Sequence, residues 1–251
     1  MVSFWNAVNK VIEQADILLI VVDARIAEET VNTEVENKIK KTKKPYFYVI
    51  TKCDLITQRK AEMLKKEIRP SIFISSKEYH GLKKLREQII ITGKKNYSEK
   101  QSYVVGVLGY PNVGKSSLIN ALNGRSSAGV SSTSGFTKGI QKIRSDNKIL
   151  FLDSPGVIPY KEKDALKHSI IGTIDYNRAK DLDLVIYKLF DTFPGIIERH
   201  YDLDTDLEED EKIEIIAKKN NMYKKGGIPD IERASRKILK DWQEGKIKST
   251  K

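Results

Sequence analysis

The run Gly109-Tyr110-Pro111-Asn112-Val113-Gly114-Lys115-Ser116 limits what this chain can fold into more than any other feature. It matches G-x-x-x-x-G-K-[ST], and it sits where that pattern needs to sit, between an apolar strand-like run (Tyr103–Leu108) and a helical stretch (Ser116–Leu122). Glycines let the backbone curl so that successive N–H groups, here those of Val113, Gly114, Lys115, Ser116 and Ser117, converge with a helix N-terminus on phosphate oxygens. In that arrangement Lys115 reaches the β- and γ-phosphates and the Ser116 hydroxyl ligates magnesium. A plain glycine turn could carry the same letters, but it would not need the strand before and the helix after.

The surrounding chain reads as an α/β domain. Ile17–Val22, Tyr46–Ile50 and Ile72–Ile74 are short β-branched apolar runs, separated by charged stretches of helical length at Thr30–Lys41 and Gln58–Ile68. Leu82, Leu85 and Ile89 add a helical stripe. Thr92–Ser102 (T-G-K-K-N-Y-S-E-K-Q-S) shows no apolar period and is predicted to be a surface linker. Beyond the phosphate loop come two more strands, near Ile140–Arg144 and Lys148–Leu152. The alternation predicts a mostly parallel sheet with helices on both faces over residues 1–160. Residues 161–251 hold only helical patterns, at Leu182–Phe190, Asp206–Lys219 and a last helix opened by Pro229, and are predicted to form a small all-α domain.

Composition narrows the function. The longest apolar run, Ile17–Val22, is far short of the ~18 residues a membrane span needs, and no secretory leader is legible, so a cytoplasmic protein is expected. One cysteine, Cys53, closes no intrachain disulfide, and three histidines form no zinc spacing with it. Lys and Arg number 45 against 34 acids, a net charge of +11. That excess suits a polyanionic partner, or else a thermostable ion-paired surface.

Three further motifs end predicted strands. In Asp153-Ser154-Pro155-Gly156, the aspartate can hold magnesium through water and the glycine amide can touch a γ-phosphate. In Thr51-Lys52-Cys53-Asp54, the Asp54 carboxylate can accept from guanine N1–H and the exocyclic amine, a donor pair adenine lacks. Alone, T-K-x-D is too short to separate that role from a solvated strand end. Ser75-Ser76-Lys77 can offer a backbone amide to guanine O6, or Ser75 can simply cap the helix that follows.

Together these elements resemble the translation-factor branch of the P-loop GTPases, but in a changed order, with T-K-C-D and S-S-K ahead of the phosphate loop. The permuted order followed by a helical region resembles the circularly permuted GTPases of the YlqF/YawG type. The resemblance implies a GTPase that binds GTP and GDP with magnesium held by Ser116, Asp153 and the switch threonine Thr137. It implies a role in assembly of the large ribosomal subunit, with ribosomal RNA as partner, no membrane, and a monomer. Lys115, Thr137 and Gly156 are then the residues closest to the chemistry. Asn112 stands where potassium-stimulated relatives help ligate a monovalent cation. Two departures are visible. Val157 replaces the glutamine that orients the attacking water in many GTPases, so intrinsic hydrolysis is expected to be slow and stimulated by the ribosomal particle. The P-G-H-M motif of some members is missing near the N-terminus, where this chain reads S-F-W-N-A-V.

Permutation also has a physical rationale, because the termini of a compact α/β domain lie close enough for a short segment to join them. The switch segment after Asp153–Gly156 then runs into the helical region, so nucleotide state is expected to reposition it. Charges in that region are polarised: residues 200–217 hold eight acids and one lysine, whereas 218–251 hold eleven bases and four acids. Arg233, Arg236, Lys237 and Lys240 either meet RNA phosphates or form the solvated face of an amphipathic helix docked through Trp242. Two functions stay open: a GTP-hydrolysing assembly factor, and a nucleotide-gated RNA-binding module whose hydrolysis is incidental.

Overall fold

The computed structural model describes residues 2–124, 139–160 and 162–248. The chain separates into two compact units, Met1–Glu162 and Lys163–Lys251.

The first unit runs α1 (Val2–Gln14), β1 (Ile17–Asp23), α2 (Ala27–Thr30), α3 (Thr33–Thr42), β2 (Tyr46–Thr51), α4 (Gln58–Glu67), β3 (Ser71–Phe73), α5 (Leu82–Asn96), β4 (Tyr103–Gly109), α6 (Lys115–Asn123), β5 (Gln141–Arg144) and β6 (Ile149–Asp153). Among the described residues, six strands form one sheet in the order β3-β2-β1-β4-β6-β5, with β5 alone antiparallel to its neighbour. Every residue of β1 is buried, as a strand covered on both faces must be. From β1 the chain steps to β2 and β3 on one side, then returns to place β4 on the other side of β1. Such a reversal opens a crevice at the carboxyl ends of the strands, where ligands of open α/β sheets bind.

Three local findings depart from the sequence expectations. Residues 1–14, assigned no element above, form α1, which buries Val8 and Val11 against the sheet. Gly106 on β4 makes room for it, since a Cβ there would come within 2.7 Å of Val11 Cγ1. The stretch Thr30–Lys41 straddles a break between two helices. Thr30 ends the first, its hydroxyl donating to Ile26 O at 2.8 Å, and Asn32 starts the second by accepting from Val35 N at 3.1 Å. The predicted linker is half helix, because α5 continues to Asn96 and carries its buried stripe through Leu85, Ile89 and Gly93. Only glycine fits at 93, where a Cβ would lie 2.5 Å from the Tyr103 ring.

The second unit contains α7 (Ala165–Ile171), α8 (Leu182–Thr192), α9 (Ile196–Tyr201), α10 (Glu209–Lys219) and α11 (Ile231–Gln243). Short helices α7 and α9 escaped the sequence reading because neither is long enough to show a period. Asp230 caps α11 by accepting from Arg233 N at 3.1 Å, which puts Pro229 just ahead of the helix. Ala234, Ile238 and Trp242 are buried, and the Trp242 indole donates to Ile170 O at 2.9 Å while stacking on Phe193 with ring centroids 4.4 Å apart.

Candidate nucleotide site

Register brings the motif residues together. Asp23 lies opposite Thr51, Val21 opposite Gly109 and Val107 opposite Asp153, so the carboxyl ends of β2, β1, β4 and β6 stand side by side. The phosphate loop leaves β4 at Gly109, whose φ of 152° and a Val21 O that would sit 2.4 Å from any Cβ both require glycine. It enters α6 through Gly114 at φ 97°. Asn112 is also left-handed, at φ 61°.

Lys115 is buried, and its ammonium is folded back on the loop, donating to Tyr110 O at 2.6 Å and Gly109 O at 3.2 Å. Burial pulls its pKa down to about 8, against the opposing pull of Asp153. Ser116 Oγ donates to Asp153 Oδ2 at 2.8 Å. Asp153 is fully buried and burial raises its pKa, while its Oδ1 accepts no hydrogen bond among the described residues. A buried carboxylate oxygen without a donor is costly, and a divalent cation between Ser116 and Asp153 would satisfy it. The donor set therefore fits magnesium.

A strap unforeseen in the sequence ties the T-K-C-D strand end to this loop. Thr51 Oγ1 lies 2.5 Å from Val113 O and 2.9 Å from Val22 O. Lys52, left-handed at φ 56°, turns its ammonium back to donate to Asp23 Oδ2 at 2.7 Å and to Asn112 O at 3.1 Å. Asp23 also accepts from Arg25 Nε at 3.1 Å and Nη2 at 2.8 Å, and these two cations hold its carboxyl far below the usual carboxylate range against the cost of burial. Only an aspartate ending β1 and an arginine two residues on could have flagged the pair. Asp54 is half-buried in the turn Cys53–Leu55 that follows. Ser75 is buried and its Oγ accepts from Glu78 N at 3.0 Å, closing a turn rather than capping α5, whose N-cap is Gly81; Ser76 is half-buried beside it and Lys77 is exposed.

The D-S-P-G segment lies against the phosphate loop. A Cβ on Gly156 would fall 2.4 Å from Pro111 N, and Val157 N donates to Gly109 O at 3.1 Å. Val157 is buried in the core, so its side chain is packed away from any water. Its carbonyl accepts from Asn32 Nδ2 at 3.2 Å. Further along, Tyr160 N donates to Glu34 and Tyr110 OH donates to Glu162 at 2.9 Å. Asn32, Glu34 and Glu162 were not singled out in the sequence, since they belong to no motif. Thr137 lies outside the described residues.

Comparison with known proteins agrees with this geometry. A family model described as 50S ribosome-binding GTPase matches residues 104–224. The match begins at the phosphate-loop strand and leaves out the T-K-C-D segment, as permutation requires. YlqF from T. maritima, solved bound to GNP, superposes with a TM-score of 0.66 over 98% of this chain and 95% of that one, at 25% identity. The chain belongs to the circularly permuted P-loop GTPases of the YlqF type. An uncharacterized GTP-binding protein of Methanocaldococcus jannaschii is 36% identical over 96% of this chain and 65% of its own length. Nucleolar GTP-binding protein 2 of Saccharomyces cerevisiae is 31% identical over 97% of this chain and 52% of its own. The chain thus spans between about half and two thirds of these curated relatives. Among the described residues of this YlqF-type GTPase, no helix is long and apolar enough to cross a membrane.

Proposed function

We propose that this chain is a GTP-binding and GTP-hydrolysing switch acting in assembly of the large ribosomal subunit. The observation that carries the reading is the meeting of Lys115, drawn back onto Gly109 and Tyr110 carbonyls, with Asp153, whose Oδ1 lacks a donor. Both charges await groups that a nucleotide triphosphate and its metal supply. The amides of Val113 through Ser117 hold the phosphates, and Lys115 leaves its carbonyls for the β- and γ-phosphates. Ser116, Asp153 and Thr137 would hold magnesium, which when bound neutralises charge developing on the transferring phosphoryl group. Asp54 accepts from guanine, the Ser75–Lys77 turn offers an amide to its O6, and the Gly156 amide meets the γ-phosphate. Asn112 would share a potassium ion.

The ribosomal part of the reading rests on the 50S ribosome-binding family description and on the nucleolar relatives. Ribosomal RNA is the proposed partner of a cytoplasmic monomer, and residues 163–251 its proposed RNA-binding unit. Chain connectivity supports coupling, because the segment after Gly156 leads through Tyr160 into that unit. On α11, Arg236 pairs with Glu232, Lys237 with Asp241 and Lys240 with Glu244, so phosphate contacts there would compete with existing ion pairs. Burial of Val157 favours slow intrinsic hydrolysis that the particle stimulates, and equally supports a second reading, an RNA-binding module gated by nucleotide with incidental hydrolysis. Steady-state GTP hydrolysis with and without large ribosomal subunits separates them: stimulation supports the first, and an unchanged slow rate the second.

A further inference from the structure

Strand β3 is one edge of the sheet, and it is only three residues long. Two adjoining depressions of 660 and 610 Å³ run along it, sharing Lys65 and Ser71 in their walls. Helix α4 contributes Lys65 and Lys66 to one bank, with Arg69 just beyond its end, and α5 contributes Lys83 and Lys84 to the other, against two carboxylates, Glu62 and Glu87. All five cationic side chains are exposed. Among the described residues, no carboxylate lies within ion-pair distance of Lys65, Lys66, Lys83 or Lys84, whereas Arg236, Lys237, Lys240 and Lys246 of the helical unit are all paired.

Local stability does not explain these charges. Lysines often guard an edge strand from self-association, but then they stand on the strand; here they stand on the flanking helices. Lys83 and Lys84 fall in the first turn of α5, where the helix dipole disfavours cations and no acid offsets them. The backbone also brings them to the groove by force: Gly81, left-handed at φ 75°, lets α5 start so close to β3 that a Cβ would lie 2.1 Å from Phe73 O. Tyr79 beside them is 68% exposed, a flat ring at the groove's margin.

We propose that this groove on the GTPase unit takes the phosphate backbone of RNA, with Lys65, Lys66, Lys83 and Lys84 as its phosphate contacts and Tyr79 available to stack on an unpaired base. An acidic peptide adding a strand to β3 fits worse, since three residues preceded by Pro70 offer a short ladder to pair with. The inference rests on the ribosomal reading above and names a surface for it outside the helical unit.

The test combines K65Q, K66Q, K83Q and K84Q in the full chain and titrates purified large-subunit ribosomal RNA over a salt series, with polyglutamate as an acidic polypeptide probe. Loss of at least about tenfold in RNA affinity, with a slope of log K against log salt reduced by about 3, is expected. GDP affinity should stay unchanged, and the four lysine-to-arginine changes should keep RNA binding. A variant that binds RNA with wild-type affinity and slope overturns the groove while leaving the ribosomal reading intact. Groove-dependent binding of polyglutamate as tight as that of RNA overturns it in favour of an acidic protein. A wild-type chain that binds no RNA removes both the groove and the RNA-binding part of the proposed function.

Discussion

Buried charge is handled in opposite ways at the core pairs of the helical unit and at the phosphate loop of the GTPase unit. In the helical unit, Lys212 and Glu198 are both buried and meet at 3.1 Å through Glu198 Oε1, with the ammonium 5.3 Å from the Phe190 ring centroid, while Glu198 Oε2 has no hydrogen-bond partner among the described residues. Asp241, also buried, accepts from Tyr201 OH at 2.8 Å, Lys237 at 2.7 Å and Lys246 at 3.0 Å. In the GTPase unit, Lys115 and Asp153 are just as buried, yet the lysine donates to neutral carbonyls and the carboxylate accepts from one hydroxyl. Matched charges hold a fold together; mismatched ones hold a place for charge that comes from outside. Asp23 shows that the difference is not one of unit, because two cations match it inside the GTPase unit, where it positions Lys52 on the phosphate loop.

The largest effect expected from this contrast is on stability. Replacing Glu198 by alanine strands Lys212 in the core and should destabilise the helical unit by about 3–5 kcal/mol in urea unfolding, whereas replacing both partners with apolar residues should recover most of it. A small loss for the single change would place the pair among weak surface bridges. Next in size, Lys115→Ala should weaken triphosphate binding by about 2–3 kcal/mol, on the order of a hundredfold, with no loss of stability in the absence of nucleotide. Equal losses in both assays would make Lys115 a structural residue like Lys212. Asp54→Ala should remove a preference for GTP over ATP worth about 1–3 kcal/mol, read by competition binding.

A further effect is pH-dependent. Lys115 titrates near 8 in the folded chain and at 10.5 when unfolded, so its buried charge costs stability below pH 8 and the cost fades as pH rises from 8 to 10.5. Lys115→Met should therefore be more stable than the parent at pH 7, with the advantage disappearing by pH 10.5. An advantage constant across that range would point to packing instead.

The same contrast explains what the sequence could tell. The phosphate loop, D-S-P-G and T-K-C-D were legible because each is a short run whose backbone geometry demands its residues, as Gly109 and Gly156 show by having no room for a Cβ. The permutation was legible from their order alone. Asp23 and Asn32 were not, because partners that give them their roles lie far away in sequence: Asn32 meets Val157 across 125 positions and Asp23 meets Lys52 across 29. Helix α1 was missed for a similar reason, as its apolar face has meaning only against Gly106 on β4.

One measurement reaches the central claim most directly: the affinity of the chain for GTP and for ATP, each with and without magnesium, in the parent and in Asp153→Asn. Asp54 predicts that GTP binds more tightly than ATP, and the mismatched charges at 115 and 153 predict that magnesium strengthens GTP binding to the parent and that Asp153→Asn abolishes the magnesium effect while leaving GDP binding without the metal nearly unchanged. Equal affinity for the two nucleotides, or a magnesium effect undiminished in Asp153→Asn, would contradict it.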